Sequence, residues 1–151
     1  MIDWIWLPYD ALSRDQLFEI IYVRQAVFVV EQDCAYQDAD RWDAISWHLF
    51  TCDPAPPRHV IAYARVVPPG HRFAEPSIGR VLTAPSARRS GLGRELMSKA
   101  IAQTATLYPQ TAIRISAQQY LEPFYTEFGF RTVSEPYAED GIPHVEMLRN
   151  G

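Results

Sequence analysis

The chain has 151 residues, of which 48% are hydrophobic and 13% aromatic, and its formal net charge is −4 at pH 7. This length predicts one domain, residues 1–151, and the apolar content is too high for a disordered chain. No apolar run reaches the roughly 18 residues that a membrane-spanning helix needs, so a transmembrane topology is excluded. The negative charge argues against a broad nucleic-acid-binding surface.

The start of the chain and its cysteines indicate the expected cellular location and the absence of disulfide and zinc sites. Met1–Trp4 has no basic region and the first cation is Arg14, so we expect a cytoplasmic protein. Cys34 and Cys52 are too few for a disulfide framework, and no Cys/His cluster has the spacing of a zinc site. We therefore expect no metal, no nucleic acid and no membrane as partners.

The first half of the chain predicts a strand, a helix and a hairpin. Pro8 ends an aromatic strand, and Ser13 with Gln16 has the form of a capping box at a helix start. A proline-rich turn between two strand-like runs favours an antiparallel hairpin. In chain order the predicted elements are strand 1–7, helix 14 to about 30, and strands 45–51, 59–67 and 78–83. A break near the end of this helix is left open.

The second half predicts two helices and three strands. In chain order these are helix 92 to about 106, strand 112–117, a two-turn helix over 121–128, and closing strands 131–134 and 144–148. The two-turn helix has Pro123 near its start and Gly129 just past its end, which is the usual placement of these residues. The full order predicts an α/β protein of the α+β type, with a mixed, mostly antiparallel sheet and helices on both faces.

A glycine-rich turn, Arg88-Arg89-Ser90-Gly91-Leu92-Gly93, precedes the long helix. Glycines let a backbone approach a ligand closely, and the free amides at a helix start attract phosphate. Arginine side chains, Arg94 included, add positive charge to such an anion site. The turn lacks the Gly-Lys-Ser/Thr of a Walker loop, and Leu96 stands where a Rossmann fingerprint has glycine or alanine. A capped helix with solvated arginines is the structural alternative.

Two motifs carry a family resemblance. The Arg-x-x-Gly-x-Gly pattern at 88–93 resembles motif A of the GNAT family of N-acetyltransferases. Downstream, Phe124-Tyr125-Thr126-Glu127-Phe128-Gly129-Phe130 is similar to the Phe-Tyr-x-x-Phe-Gly-Phe segment of that family. Segments 24–32, 62–65, 78–81 and 139–144 resemble the ElaA-like subgroup, so the resemblance covers nearly the whole chain. The proline-rich insert 53–58 departs from it and is expected to lie away from the site.

The resemblance implies the GNAT acyl-CoA N-acyltransferase fold and acetyl-CoA as the donor. In that family the glycine-rich turn holds the pyrophosphate, which here implies contacts from Arg88, Arg89, Ser90, Gly91, Leu92, Gly93 and Arg94. By the same resemblance, Val81, Leu82 and Thr83 contact the pantetheine arm and the acetyl carbonyl through their backbone.

Tyr125 is the candidate general acid. Acetyl transfer needs a proton for the departing thiolate, and a phenol with a pKa near 10 stays protonated at neutral pH. The helical spacing of Tyr125 from Leu121 also permits a plain core position. The resemblance favours the catalytic role, because this tyrosine commonly serves as the general acid in related enzymes.

The acceptor side offers several titratable groups. Glu31, His48 and His144 are each candidates to relay the proton of the amine. For Glu31 a hydrogen bond at the helix end, and for His48 a satisfied strand position, are equally acceptable interpretations. We expect the acceptor to enter between Glu31 and His144, on the side away from the pyrophosphate.

Five further charged residues have structural and functional interpretations. Arg65 and Arg80 either pair with buried acids or meet the acceptor, and pairing is favoured because an unpaired buried cation is costly. Asp38, Asp40 and Asp43 belong to an acidic stretch that is either a solvated loop or an acidic lip favouring a cationic acceptor.

The sequence therefore predicts a single-domain N-acetyltransferase that moves acetyl from acetyl-CoA to a primary amine by direct attack in a ternary complex. The acceptor is a small molecule or a peptide amine. Two alternatives are an acyltransferase like the acyl-homoserine-lactone synthases and a non-catalytic acyl-CoA sensor. The identity of the amine, the general base and the oligomeric state are left open, a homodimer included.

Overall fold

The computed structural model describes residues 2–151. In chain order the elements are β1 Ile5–Pro8, α1 Arg14–Arg24, a π-helical segment Gln25–Glu31, β2 Trp47–Cys52, β3 Val60–Val67, β4 Ser77–Thr83, α2 Leu92–Leu107, β5 Ile113–Gln118, α3 Glu122–Thr126, β6 Arg131–Thr132, β7 Tyr137–Glu139 and β8 Ile142–Arg149. Short 3₁₀ turns precede α1, β2, α2 and α3. None of the helices in residues 2–151 is long and apolar enough to cross a membrane.

The strands form two four-stranded sheets in which every pair is antiparallel. The first sheet has the order β1-β2-β3-β4, and in the second β8 pairs with β5, β6 and β7. The predicted hairpin is β2–β3, and the predicted closing strand pair is β6–β8, so both predictions are confirmed. Helices cover both faces, as the sequence predicts.

Successive side chains along the strands of the first sheet point to opposite faces, and each face packs in its own hydrophobic core. Leu49 and Phe50 are neighbours on β2, so their side chains point to opposite faces. Leu49 belongs to the core beneath α2, with Leu96 and Ala100, whereas Phe50 packs with Ile20 of α1. Burying such apolar side chains contributes about 1.5–3 kcal/mol each, which holds both helices to the sheet.

Several predicted boundaries differ from the structure, among them those of the first strand and of two helices. The first strand begins at Ile5 instead of residue 1, and Met1 lies outside the described residues. The capping box of Ser13 and Gln16 is present, but α1 ends at Arg24 and continues as the π-helical segment. The two-turn helix predicted over 121–128 is shorter, because a 3₁₀ turn ends at Leu121 and α3 spans only Glu122–Thr126.

Strand β7 was not predicted. It spans three residues and pairs with the start of β8 through a tight turn at Asp140 and Gly141. Both turn residues have positive φ, 52° and 78°, which is the geometry of a two-residue hairpin turn. The turn brings Glu139 close to His144.

The two sheets meet at one end and separate toward the other. The amide of Arg114, at the start of β5, donates to the carbonyl of Pro76, just before β4, at 3.1 Å. Farther along, residues 77–81 and 115–118 line opposite sides of a cavity. This divergence of β4 and β5 positions the candidate site.

Candidate active site

The cavity between β4 and β5 has a volume of about 120 Å³. Its walls include Phe28 and Gln32 at the end of the first helical region, and Leu121 and Tyr125 from the opposite side. Residues of both sheets, Ile78 and Ser116 among them, therefore face one space.

Tyr125 presents its side chain to this cavity. The ring is 7% exposed and packs edge-on against Phe124 and Phe130, with centroids 5.2 and 6.1 Å away. No hydrogen bond to its hydroxyl occurs within residues 2–151. Burial raises the pKa of Tyr125 above its ordinary value, so the hydroxyl stays protonated at neutral pH. The core and cavity interpretations of Tyr125 therefore both hold, for different parts of the side chain.

Strand β4 bulges where it borders the cavity. Tyr63 and Arg65 of β3 pair with Leu82 and Gly79, so two residues on β3 span three on β4. The extra length is accommodated at Arg80, whose φ is +51°. A non-glycine residue in this region is strained, and such bulges redirect side chains beside active sites. Here the bulge turns the Arg80 side chain toward the cavity wall.

The three residues predicted to contact the pantetheine arm lie at the end of β4. Leu82 is buried in the core with α1, Val81 lines the cavity, and Thr83 is half-buried. The side chain of Leu82 is therefore unavailable to a ligand, which leaves backbone contact as its predicted role.

The glycine-rich turn leaves the start of α2 uncapped. Gly91 occupies the N-cap position with φ +81° and supplies no side chain, while the Ser90 hydroxyl donates to the carbonyl of Ala87 at 2.6 Å. The first amides of an α-helix have no intrahelical partner. The amides at residues 92–94 therefore remain available to an anion, at the positive end of the helix dipole.

Two of the three arginines of this anion site already have carboxylate partners. Arg88 donates from both terminal nitrogens to Glu31, at 2.6 and 2.7 Å, and from Nε to the carbonyl of Thr83. Arg94 pairs with Glu127. Arg89, with φ +64°, has no ion pair or side-chain hydrogen bond within the described residues. All three side chains are solvent-exposed, as the alternative of solvated arginines expects.

The predicted placement of Glu31 away from the phosphate turn is wrong. Glu31 is held by Arg88 of that turn, and it does not line the cavity that contains His144. The hydrogen bonds from Arg88 lower the pKa of Glu31, which weakens it as a base. The structure thus brings Tyr125 and His144 to one cavity and places Glu31 outside it.

His144 lies on β8 and is 7% exposed. Its Nδ1 is 2.7 Å from the carbonyl of Ile142, and because a carbonyl only accepts, Nδ1 carries the hydrogen. Its Nε2 is 3.4 Å from a carboxylate oxygen of Glu139, whose other oxygen accepts from Arg72 at 3.0 Å. The Tyr137 ring stacks on the imidazole at 6.1 Å.

A cluster of buried ion pairs lies beside the cavity. Arg24 pairs with Asp38 and Asp43, at 3.0 and 2.7 Å, and Arg65 pairs with Asp40 and Asp43, at 2.7 and 2.9 Å. The favoured pairing of Arg65 is confirmed. The expectation of a solvated loop or an acidic lip at 38–43 is wrong, because these carboxylates face buried guanidinium groups.

Arg80 extends the same cluster. Its Nη2 donates to the carbonyl of Asp38 at 2.9 Å and to Asp40 at 3.3 Å. Its Nε lies 2.9 Å from a carboxylate oxygen of Asp38, without the alignment of a hydrogen bond. The expected pairing of Arg80 with acids is confirmed, and it fastens the 38–40 loop to the β4 bulge.

His48 is a satisfied strand residue. It is fully buried, its Nε2 donates to the carbonyl of Asp43 at 3.0 Å, and its Nδ1 accepts from the hydroxyl of Tyr63 at 2.6 Å. Burial lowers the pKa of His48 to about 4. Since it does not line the cavity, the proton-relay interpretation of His48 is wrong.

Sequence reasoning assigned no role to Glu139, which the structure places beside His144. The signal available was the Asp140-Gly141 pair, a strong hairpin indication that would have joined Glu139 and His144 across a turn. Arg72, which orients Glu139, carried no comparable signal because it comes from a loop that is distant in sequence. Among residues 2–151 no group of three or more His, Cys, Asp or Glu side chains is arranged to hold a metal ion.

Comparison with known proteins agrees with this architecture. A family model described as an acetyltransferase (GNAT) domain matches residues 61–150. The chain belongs to the GNAT acetyltransferase family. It is 44% identical to a UPF0039 protein from Synechocystis sp., an alignment that covers 97% of this chain and 94% of that protein. As a GNAT protein it uses the family's acyl-CoA N-acyltransferase fold.

Two solved structures resemble this GNAT protein along almost its whole length. An acyl-CoA N-acyltransferase from Pseudomonas aeruginosa matches with a TM-score of 0.92 and 35% identity, covering 99% of each chain. ElaA from Escherichia coli matches with a TM-score of 0.91 and 37% identity, covering 99% of this chain and all of that one. A CoA-dependent acyl-homoserine lactone synthase, at 16% identity and a TM-score of 0.77, shares the fold alone.

Proposed function

We propose that this GNAT protein transfers an acetyl group from acetyl-CoA to a primary amine by direct attack in a ternary complex. The observation that carries the proposal is one cavity, at the divergence of β4 and β5, that holds both a protonated phenol and a histidine. The phenol suits the departing thiolate and the histidine suits the attacking amine. Acetyl-CoA supplies the acetyl group as a thioester and leaves as a thiol.

The chain's own residues fit the donor. The uncapped start of α2, the Arg89 side chain and the left-handed backbone at residues 89 and 91 form an anion-binding surface for a pyrophosphate. The residues that would hold the donor are the backbone of 81–83 and the turn 88–94.

Each catalytic group has a separate task. Tyr125 keeps a proton available to the leaving sulfur, because burial raises the pKa of Tyr125. His144 offers Nε2 to the amine, because its Nδ1 hydrogen is committed to Ile142. The β4 bulge and the buried ion pairs fix the wall against which the acceptor lies. Glu31 has no catalytic task in this proposal, because it pairs with Arg88 beside the proposed pyrophosphate site.

A thiol-release assay with acetyl-CoA and a panel of primary amines tests the proposal. We expect CoA release that depends on one class of amine, and N-acetylated product in equal amount. Calorimetric binding of CoA without amine-dependent release would favour the acyl-CoA sensor. Amine-dependent release with long acyl-CoA donors but not with acetyl-CoA would favour an activity like that of the acyl-homoserine-lactone synthases.

A further inference from the structure

His144 and Glu139 face each other with a mismatch of hydrogen-bonding groups. The carbonyl of Ile142 requires a hydrogen on His144 Nδ1, so in the neutral imidazole Nε2 carries a lone pair and is an acceptor. That lone pair lies 3.4 Å from Oε2 of Glu139, which is also an acceptor. Two acceptors at this separation need a donor that serves both.

Two arrangements supply such a donor. In one, a proton on Nε2 makes an imidazolium that pairs with Glu139. In the other, a cationic N–H group from outside donates to both acceptors, since atoms 3.4 Å apart lie within reach of a single nitrogen placed over them. These two arrangements are the states after and before one proton transfer, from an ammonium group to His144.

We propose that His144 Nε2 and Glu139 Oε2 form the subsite that binds the acceptor as a primary ammonium ion and removes its proton. This inference rests on the proposed function and specifies its acceptor site. One N–H bond of the ammonium breaks, its electron pair stays on the amine nitrogen, and the proton forms a bond with Nε2. Glu139 then stabilises the imidazolium, and the neutral amine is free to attack.

Arg72 and Tyr137 hold this subsite in place. Arg72 donates to Oε1 of Glu139 at 3.0 Å, which leaves Oε2 directed at the histidine. Tyr137 stacks on His144 and its hydroxyl lies 2.5 Å from that of Ser116 on β5. Both are positioning residues, because they act through Glu139 and His144 rather than on the amine.

The surroundings of Glu139 specify the class of amine. Beyond it lies a hollow of about 430 Å³ lined by Trp42, Phe73 and Tyr137, and Arg72 and Glu139 border both this hollow and the cavity. Glu146, the second carboxylate on the hollow, is 2.9 Å from Arg114, a guanidinium that it shares with Glu75. The aromatic walls favour an acceptor amine with an apolar body over a polyamine.

The test measures amine binding without turnover. In the presence of CoA, which carries no acyl group, calorimetry compares 2-phenylethylamine, putrescine and 3-phenylpropionate as probes. We expect 2-phenylethylamine to bind more tightly than putrescine and the carboxylate to show no binding. Glu139→Gln keeps the shape of the side chain and should weaken amine binding at least about tenfold, the usual loss for a hydrogen bond to a charged group. Glu135→Gln, on an exposed loop, is the matched control.

Nitrogen NMR of the His144 imidazole gives a second readout, which reports the tautomer in the free protein and the contact with the amine in the complex. We expect the neutral ring to carry its hydrogen on Nδ1 in the free protein and to shift on addition of 2-phenylethylamine. Tight amine binding in Glu139→Gln, stronger binding of the carboxylate or of putrescine, or an Nε2-protonated neutral ring would overturn the proposal. If Glu139→Gln unfolds, Glu139→Asp, which retains the charge, replaces it and should keep part of the affinity. Failure of the wild-type protein to bind CoA would instead count against the proposed function.

Discussion

At the scale of single residues, the ring and the hydroxyl of Tyr125 lie in different environments. Its ring is held by Phe124 and Phe130, while its hydroxyl has no partner within the described part of the chain. Among the described residues only Arg65 Nε and Arg80 Nε are buried side-chain polar atoms without a hydrogen-bond partner, so the Tyr125 hydroxyl is accessible through the cavity. The group is therefore placed to meet a ligand.

The substitution Tyr125→Phe removes the hydroxyl and keeps the ring packing. We expect turnover to fall by about 10²–10⁴, the usual contribution of general acid catalysis, with CoA affinity and thermal stability little changed. Steady-state kinetics and thermal unfolding measure these effects. Tyr22→Phe, at an exposed tyrosine on α1, is the control. Wild-type turnover in Tyr125→Phe, under conditions where chemistry limits the rate, would assign the residue to packing alone.

Glu31 is expected to oppose donor binding rather than to catalyse. It occupies both terminal nitrogens of Arg88, next to the proposed pyrophosphate site, and places a negative charge there. Glu31→Gln should therefore leave turnover at saturating donor unchanged and tighten CoA binding a few-fold, a modest effect because the pair is exposed. Calorimetry at low and high salt measures this. A large loss of turnover in Glu31→Gln would restore Glu31 as a catalytic base.

At the scale of elements, the beginning of α2 contains a glycine that binding requires and folding does not. Gly93 lies inside the first helical turn, and a Cβ added there would meet only Thr83 Cγ2, at an ordinary 3.8 Å. Packing and backbone conformation therefore do not demand glycine at this position. Close approach of a ligand to the backbone would explain why glycine stands at position 93.

Gly93→Ala should change stability and binding in opposite directions. Alanine in a helix is more stable than glycine by about 0.5–1 kcal/mol, so the free energy of unfolding should rise. CoA affinity should fall, because the added methyl group occupies the space over the free amides. Urea unfolding and calorimetry measure the two quantities. An alanine variant that binds CoA as tightly as the wild type would remove the pyrophosphate from this turn.

The π-helical segment has a related role at the cavity. It changes the helical register after Arg24, so that Phe28 packs in the core with α1 and also borders the cavity, while Val30 is left exposed. Such π-type turns are often found at functional sites. The sequence pattern left open a break near the end of this helix but did not indicate a π-helix, since apolar spacing does not distinguish the two forms over two turns.

At the scale of the whole molecule, buried ionisable groups couple folding to pH. Burial alone would raise the pKa of Asp43, but its hydrogen bond to Arg24 and the charges of Arg24 and Arg65 outweigh this and lower the pKa to about 2. Burial lowers the pKa of His48 to about 4. Both groups make the folded state bind fewer protons than the unfolded chain.

The protein should therefore lose stability as the pH falls below about 6.5, the ordinary pKa of histidine. Between about pH 6.5 and 4 the unfolded chain protonates His48 and the folded state does not, so the free energy of unfolding falls by up to about 1.4 kcal/mol per pH unit. Asp43 continues the loss between about pH 4 and 2. Urea unfolding at several pH values measures the slope.

His48→Gln should flatten the pH dependence between about pH 6.5 and 4, and His59→Gln should not. His59 is an exposed histidine paired with Glu19, so its substitution is the matched control. An unchanged slope in His48→Gln would show that other groups govern the acid sensitivity.

Much of this organisation could be predicted from local sequence signals. The Ser13–Gln16 capping box, the helical spacing of α2 and the glycine-rich turn each involve residues within a few positions of one another. Their physical basis is the backbone, so a single sequence shows them. Tyr125 was found through its motif, and its place in the cavity follows from the position of α3.

The rest depends on contacts between distant segments. Glu31 and Arg88 are 57 positions apart, and Arg24 meets its aspartates only when the 38–43 loop folds over β3. A stretch of acids is interpreted as solvated unless the opposing guanidinium groups are known. Strand β7 has only three residues, too few for an alternating pattern, and its pairing depends on the adjoining turn.

The most direct test of the central claim is mass spectrometry of an amine incubated with this protein and acetyl-CoA carrying a deuterated acetyl group. The account predicts the deuterium label on the nitrogen of 2-phenylethylamine or a related monoamine, at a rate far lower with Tyr125→Phe than with the wild type. Donor binding without labelled amine across a broad panel of primary amines, or equal labelling by the wild type and Tyr125→Phe, would contradict it.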